Sequence, residues 1–215
     1  MNLSRSISSY QTIEWAISTF DDLVMTTGLN LSGLVLLDMA VKVGYTGDVV
    51  FVNTGFHFPE TLKLWTNLQQ KYLGPNFITL EPDADTGYLF ETDPVQCCQI
   101  NKVSPLERYL KLTRPSALLN ARTRESSQTR SSLVLVEDGD PVRINPLINM
   151  TRKDLEAYSV EHDIEKHPLY ESGFLSMGCW PCTKAVRNGE DPRSGRFLGQ
   201  GRSECGIWKT IGTVR

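Results

Sequence analysis

The sequence predicts an α/β protein built on an open, twisted, mainly parallel sheet with helices on both faces. Over residues 23–81, short apolar runs alternate with segments of helical period, the strand–turn–helix rhythm of parallel βαβ units. The turns that follow the first two runs, Thr27-Gly28-Leu29-Asn30 and Thr54-Gly55, carry small or polar residues where such folds bind ligands. Hydrophobic residues make up 40 % and charged residues 22 % of the 215, enough apolar material for one core without disulfide staples.

The elements follow in order. Residues 12–22 read as a helix with Ile13, Ala16, Ile17 and Phe20 on one face. Leu23–Thr26 reads as a buried strand. Ser32–Val43 has helical spacing, with Leu34, Leu37, Ala40 and Val41 facing inward and Gly44 as its stop. Asp48–Asn53 is a second strand, Pro59 opens a helix over Glu60–Tyr72, and Phe77–Glu81 is a third strand. Val95–Asn101 opens a helix that Pro105–Lys111 continues, and Ala117–Leu119 is a strand. Leu133–Glu137 and Val142–Ile144 flank Asp138-Gly139-Asp140, a hairpin signal. Thr151–His162 is a helix capped by Thr151, with Asp154 three positions on. From Gly173 the chain is rich in Gly, Cys, Arg and Pro and poor in core formers, the composition of a functional flap. One domain over 1–215 is expected, with about 190–215 as a flexible C-terminal catalytic segment.

Net charge is −3, so no global basic footprint for nucleic acid exists and any anion must be met by a local cluster. No apolar run spans a bilayer, and residues 1–11 are Ser-rich without a secretory core, so a cytoplasmic location is expected. Arg122, Arg124 and Arg130 form one basic cluster, and Arg187, Arg193, Arg196 and Arg202 another. Guanidinium forks suit phosphate and sulfate oxygens, although a solvated loop face has the same composition.

Five cysteines argue against a disulfide framework. A division into four ligands and one lone thiol is more natural. Cys179-Trp180-Pro181-Cys182 taken alone has three readings: a redox dithiol, half of a zinc site, or half of an iron–sulfur site. Its position far from the N-terminus weakens the first. Adjacent Cys97 and Cys98 are awkward for one tetrahedral zinc because neighbouring side chains normally diverge, whereas a cluster offers several iron corners; they also suit plain burial as small hydrophobes. Lys102, four residues on, would offset thiolate charge. Cys205, in Arg202-Ser203-Glu204-Cys205-Gly206, is either an incidental thiol or a nucleophile favoured by nearby arginines.

Taken together these stretches resemble the assimilatory sulfonucleotide reductases. The resemblance rests on Phe51-Val52-Asn53-Thr54-Gly55-Phe56-His57-Phe58-Pro59-Glu60-Thr61, on Cys97-Cys98 with Lys102, Pro105 and Leu106, and on Asn145-Pro146-Leu147. It rests most specifically on Gly178-Cys179-Trp180-Pro181-Cys182-Thr183 with Gly189–Arg196, and on Glu204-Cys205-Gly206. It implies an adenine nucleotide alpha hydrolase-like fold with a C-terminal flap carrying the catalytic Cys205. It implies a 4Fe–4S cluster on Cys97, Cys98, Cys179 and Cys182. Cys205 would attack the sulfur of adenylyl sulfate to form an S-sulfonate, and a separate thioredoxin or glutaredoxin would release sulfite. Thr27, Gly28, Lys102, Arg122, Arg124, Arg193, Arg196 and, more weakly, Arg202 would bind the substrate. Having all four cluster cysteines points to adenylyl sulfate over its 3′-phosphorylated form. Homo-oligomerisation belongs to the same set of expectations, as do the absence of nucleic-acid and membrane partners. The chain departs from the family in its first loop, where Leu29 and Leu31 replace small residues, in Ala121 before Arg122-Thr123-Arg124, and in Trp208 where a His is usual. Three other readings stand beside this one: the phosphorylated-substrate reductase, an ATP pyrophosphatase relative lacking its Ser-Gly-Gly-x-Asp-Ser loop, and a non-enzymatic zinc or iron–sulfur module.

Overall fold

In the computed structural model, which describes residues 8–187, 189–202 and 204–207, six strands form one sheet in the order β3-β2-β1-β4-β6-β5. β1 (Leu23–Thr27), β2 (Asp48–Val52), β3 (Asn76–Leu80), β4 (Ala117–Asn120) and β6 (Val142–Ile144) run parallel, and β5 (Val136–Glu137) pairs antiparallel with β6. The expected hairpin is therefore present, but its first strand is only two residues long. Trp208 and Lys209–Arg215 lie outside the described residues.

Strand alternation decides which helix covers which face. Leu23, Met25, Val49, Phe51, Ala117 and Leu119 join one core with α1 (Ser9–Thr19), α2 (Leu31–Lys42), α3 (Pro59–Lys71) and α7 (Arg152–Glu161). Val24, Val50 and Leu118 point the other way, onto Leu106, Tyr109 and Leu110 of α6 (Ser104–Thr113). Central strands buried on both faces read as unbroken apolar runs, and each such Leu or Phe contributes about 2 kcal/mol on burial. The first two crossovers place α2 and α3 on one face. The chain then passes through α4 (Leu89–Thr92), α5 (Pro94–Cys98) and α6 to the opposite face before entering β4. Right-handed connections require that change of face when the direction of winding reverses. The reversal leaves a crevice beyond the carboxyl ends of β1 and β4, where open α/β sheets hold ligands.

The first helix differs from the expected span. It starts at Ser9 because Ser8 and Gln11 form a reciprocal capping box, and it ends at Thr19. The capping box of Thr151 and Asp154 opens α7 as the sequence indicates. Between α5 and α6 the backbone widens into a π turn at Gln99–Val103. Pro105 explains it: proline has no N–H to give to the carbonyl four residues back, and its ring crowds that carbonyl. The wide turn carries Asn101 and Lys102.

Candidate active site

The crevice is a cavity of about 380 Å³, within the range of small-ligand pockets. Thr26–Gly28 line it from the end of β1 and Asn120–Thr123 from the end of β4. Thr26 Oγ1 donates to Asn120 Oδ1 at 2.9 Å and ties the two strand ends together. Asn30 bonds both the N–H and the carbonyl of Met177, at 2.7 and 3.2 Å, and so fastens the C-terminal region to the first loop. Thr27 Oγ1 accepts from the Leu29 N–H, and a Cβ on Gly33 would stand 2.7 Å from that hydroxyl. Glycine is needed there for the loop and α2 to approach. The two departures in this loop are core residues: Leu29 and Leu31 are both buried, and the Leu31 N–H donates to the Tyr170 hydroxyl oxygen at 2.9 Å. That leaves this N–H committed to protein rather than to an anion.

Lys102, His57, Arg122, Arg130, Arg152, Arg193, Arg196, Glu204 and Cys205 also line the cavity. Arg122 is held by Glu137 and by Asn145 Oδ1. Arg196 donates to Cys182 O at 3.3 Å, Ser176 Oγ at 3.4 Å and Met177 O, with its guanidinium over the Phe197 ring. A Cβ on Gly178 would meet that guanidinium at 2.2 Å, so the close approach requires glycine. Arg124 is placed differently from the expectation. It does not line the cavity, being exposed and engaged with Leu133 O and Asn149. Arg202 faces the cysteine cluster instead of the crevice, with Nη1 3.5 Å from Cys98 Sγ and Nη2 on Pro94 O.

Cys97 and Cys98 come from α5, and Cys179 and Cys182 from a single 3₁₀ turn, Trp180–Cys182. The Trp180 N–H bonds Phe56 O at 2.8 Å and presses this turn onto the loop after β2. Every one of the four sulfurs has a donor from the protein. Asn101 Nδ2 lies 3.5 Å from Cys97 Sγ, Arg202 Nη1 3.5 Å from Cys98 Sγ, and Gln200 Nε2 3.5 Å from Cys182 Sγ. Cys179 Sγ has Thr54 Oγ1 at 3.2 Å and Lys102 Nζ at 3.6 Å. Such donors suit thiolate acceptors, and hydrogen bonds of this kind steady sulfur ligands and tune their charge. Among the described residues, no three His, Cys, Asp or Glu side chains stand close enough to hold a single metal ion.

Electrostatics follow from burial and these neighbours. Burial pushes the Cys97 and Cys98 thiols up. Burial also works against the Cys179 thiolate, but Lys102, Thr54 and Arg196 together bring that thiol below its ordinary value. Lys102 is held in its charged form: burial opposes the charge, and Cys179, Cys205 and Cys98 more than compensate. His57 is pushed down to about 4, by burial first and by the Lys102 charge second. Its Nε2 bonds Val52 O, while Nδ1 is buried without a partner among the described residues. Cys205, half-buried, lies in the electrostatic reach of Lys102, Arg193 and Arg196.

A crevice at the switch point of a parallel sheet, with the Cys205 thiol and several cations on its wall, is where open α/β proteins hold their ligands. A phosphoadenosine phosphosulfate reductase domain pattern matches residues 22–185. An adenosine 5′-phosphosulfate reductase of Deinococcus radiodurans is 51 % identical over 204 residues, covering 92 % of this chain and 80 % of that protein. A phosphoadenosine 5′-phosphosulfate reductase of Gloeobacter violaceus is 39 % identical, covering 87 % and 82 %. The crystal structure of phosphoadenylyl-sulfate reductase from Candida auris, a phosphate complex, superposes with a TM-score of 0.73 at 28 % identity, covering 81 % of this chain and 89 % of that one. The chain belongs to the sulfonucleotide reductase family, oxidoreductases acting on a sulfur group. Its adenine nucleotide alpha hydrolase-like fold is the expected one.

Sequence reasoning left several residues off its site. Asn101 stands four positions after Cys97 on one helix, a spacing that marks it as a neighbour. Arg130 falls in the first basic cluster, where nothing in the sequence separates it from Arg124. Thr54 and Gln200 carry no local signal, since only tertiary folding brings them to a sulfur.

Proposed function

We propose that this chain reduces adenylyl sulfate to sulfite and AMP. The observation that supports it most directly is Cys205 on the wall of the switch-point cavity, facing Lys102, Arg193 and Arg196. The Cys205 thiolate attacks the sulfuryl sulfur, the bond from sulfur to the bridging phosphate oxygen breaks, and AMP leaves with that electron pair. Cys205 then carries an S-sulfonate. A separate dithiol protein, thioredoxin or glutaredoxin, supplies two electrons, releasing sulfite and leaving as a disulfide. The lysine and arginines offset the negative charge that builds on the sulfuryl and phosphate oxygens. Thr27 and Gly28 form the loop against which the nucleotide lies.

Cys97, Cys98, Cys179 and Cys182 would hold a 4Fe–4S cluster, and the donor set around their sulfurs fits that group. Bound there, it would supply a fixed set of thiolate charges beside the crevice. Lys102, with its ammonium 3.6 Å from Cys179 Sγ, carries a positive charge within reach of both Cys179 and Cys205. The reading places the enzyme in the cytoplasm; among the described residues no helix is long and apolar enough to cross a membrane.

The test is sulfite release from adenylyl sulfate with thioredoxin present, comparing the anaerobically purified brown protein with Cys205→Ser. Wild type should release sulfite and gain one sulfonate on the Cys205 peptide, and the variant should do neither. Equal sulfite release by both would overturn the reading. The Gloeobacter relative's name favours the 3′-phosphorylated nucleotide as a second substrate reading, and competition between the two nucleotides decides between them.

A further inference from the structure

We propose that Glu204 is a positioning residue whose carboxylate, clasped between Arg130 and Arg193, holds the Cys205 sulfur in the nucleotide crevice. The inference rests on the reading of Cys205 as the nucleophile. Glu204 Oε2 accepts from Arg130 Nη2 at 3.1 Å and from Arg193 Nη2 at 3.2 Å. Its other oxygen, Oε1, accepts from Ser127 Oγ at 3.3 Å. Arg130 Nη1 is itself steadied by Ser126 Oγ at 3.1 Å. All three charged side chains are about one-fifth exposed, at 18 % for Arg130, 19 % for Arg193 and 23 % for Glu204. The pairing therefore works with less solvent screening than a surface ion pair.

The backbone explains why a clasp is needed. Gly199, Gly201 and Gly206 sit at φ values of 74°, 63° and 86°, so the strip carrying Cys205 is punctuated by residues with the freest backbone. Ordering such a strip costs about 1–2 kcal/mol per residue in backbone entropy, and local secondary structure offers nothing in return. Its other attachments lie to either side: Arg202 on Cys98 and Pro94, and Ile207 against the core of Val24, Val50 and Leu106. The clasp is a polar attachment of the residue next to the sulfur. It joins three separate stretches of chain: the 3₁₀ turn ending at Arg130, the loop of Arg193, and the strip itself. Arg130, Glu204 and Cys205 also border a second cavity, of about 870 Å³, which shares these residues with the first. With the clasp closed, Cys205 is kept at the wall between the two spaces.

The test measures alkylation of Cys205 by iodoacetamide in substrate-free holoenzyme, read on the Cys205 peptide, alongside single-turnover S-sulfonation by adenylyl sulfate. Glu204→Gln should alkylate about tenfold faster at Cys205, a shift of about 1.4 kcal/mol in the opening equilibrium. It should form the S-sulfonate about tenfold more slowly at saturating substrate, with KM changed less than threefold. Glu204→Asp should recover most of both values. Arg130→Gln should raise alkylation by a similar factor, with no further rise when combined with Glu204→Gln. Because the clasp is shielded, wild type in 1 M salt should show at most a small part of that rise, and a full tenfold rise there would mean that the pair is solvent-screened and refute a shielded clasp. Unchanged alkylation in Glu204→Gln, or a parallel rise at Cys97 and Cys98 that reports general loosening, would refute the clasp. If wild type forms no S-sulfonate, the proposed function fails, and the alkylation arms still decide the clasp.

Discussion

Replacing Lys102 by Met removes a buried charge while keeping most of the side-chain length. Its ammonium stands 3.6 Å from Cys179 Sγ and lines the crevice that Cys205 borders. Charge that builds on the sulfuryl group during attack is taken at a separation of about 7 Å, a direct through-space distance without a hydrogen bond. With an effective dielectric of about 20, a unit charge at that distance is worth about 2.4 kcal/mol. Lys102→Met should therefore slow Cys205 S-sulfonation about fifty-fold at saturating adenylyl sulfate. Lys102→Arg keeps the charge and should lose less. The assay is quenched single turnover with mass analysis of the Cys205 peptide, with iron content measured on each variant so that cluster loss is scored separately. A Lys102→Met enzyme with full iron that reacts within threefold of wild type would sink the electrostatic argument.

Other outcomes follow from the same geometry. Gly178→Ala places a methyl against the Arg196 guanidinium, which is pinned by Ser176, Met177 and Cys182. It should cut activity at least tenfold with a far-ultraviolet circular dichroism spectrum like wild type; full activity would show that Arg196 can relocate. Asp38 is buried and accepts from Tyr72, Tyr158 and Lys42, at 3.1, 2.7 and 2.7 Å. Asp38→Ala should destabilise the fold by about 3 kcal/mol in urea titrations. Burial opposes the Asp38 charge, but the Lys42 and tyrosine bonds carry its carboxyl below the ordinary value. That group's stabilisation is present at neutral pH and is lost as pH falls through the lowered value, so Asp38→Asn should flatten the acid limb. His57 has the corresponding sign for a buried neutral ring. Its folded value is about 4 against 6.5, so the unfolded chain takes up the proton first and stability falls as pH drops from 6.5 towards 4. His57→Gln should remove a slope on the order of 3 kcal/mol across that window; an unchanged slope would mean the ring is solvated.

Much of the architecture was legible in order of residues because local rules act over short distances. Strands β1, β2 and β4 contain the apolar runs Leu23–Met25, Val49–Val52 and Ala117–Leu119, α3 carries one apolar face, and Thr151 with Asp154 marks a helix start. The positions of the five cysteines and the family resemblance were readable in the same way. Spacing along the helix even points from Cys98 to Lys102 and from Cys97 to Asn101. The first helix was misplaced by a few residues because its capping box uses Gln11, a weaker signal than its apolar face.

What the order of residues left open was which cations meet the crevice. Arg124 and Arg130 sit in one cluster, yet Arg124 turns outward to Leu133 and Asn149 while Arg130 turns inward to Glu204. Arg193 and Arg202 belong to one flap, yet one borders the crevice and the other backs Cys98. The sequence alone determined the mainly parallel sheet class, the positions of its central strands and the chemical types available, since periodicity and turn chemistry are short-range. Only the tertiary structure decided which guanidinium points where and which donor reaches each sulfur, because charged side chains on irregular backbone are oriented by partners dozens of residues away.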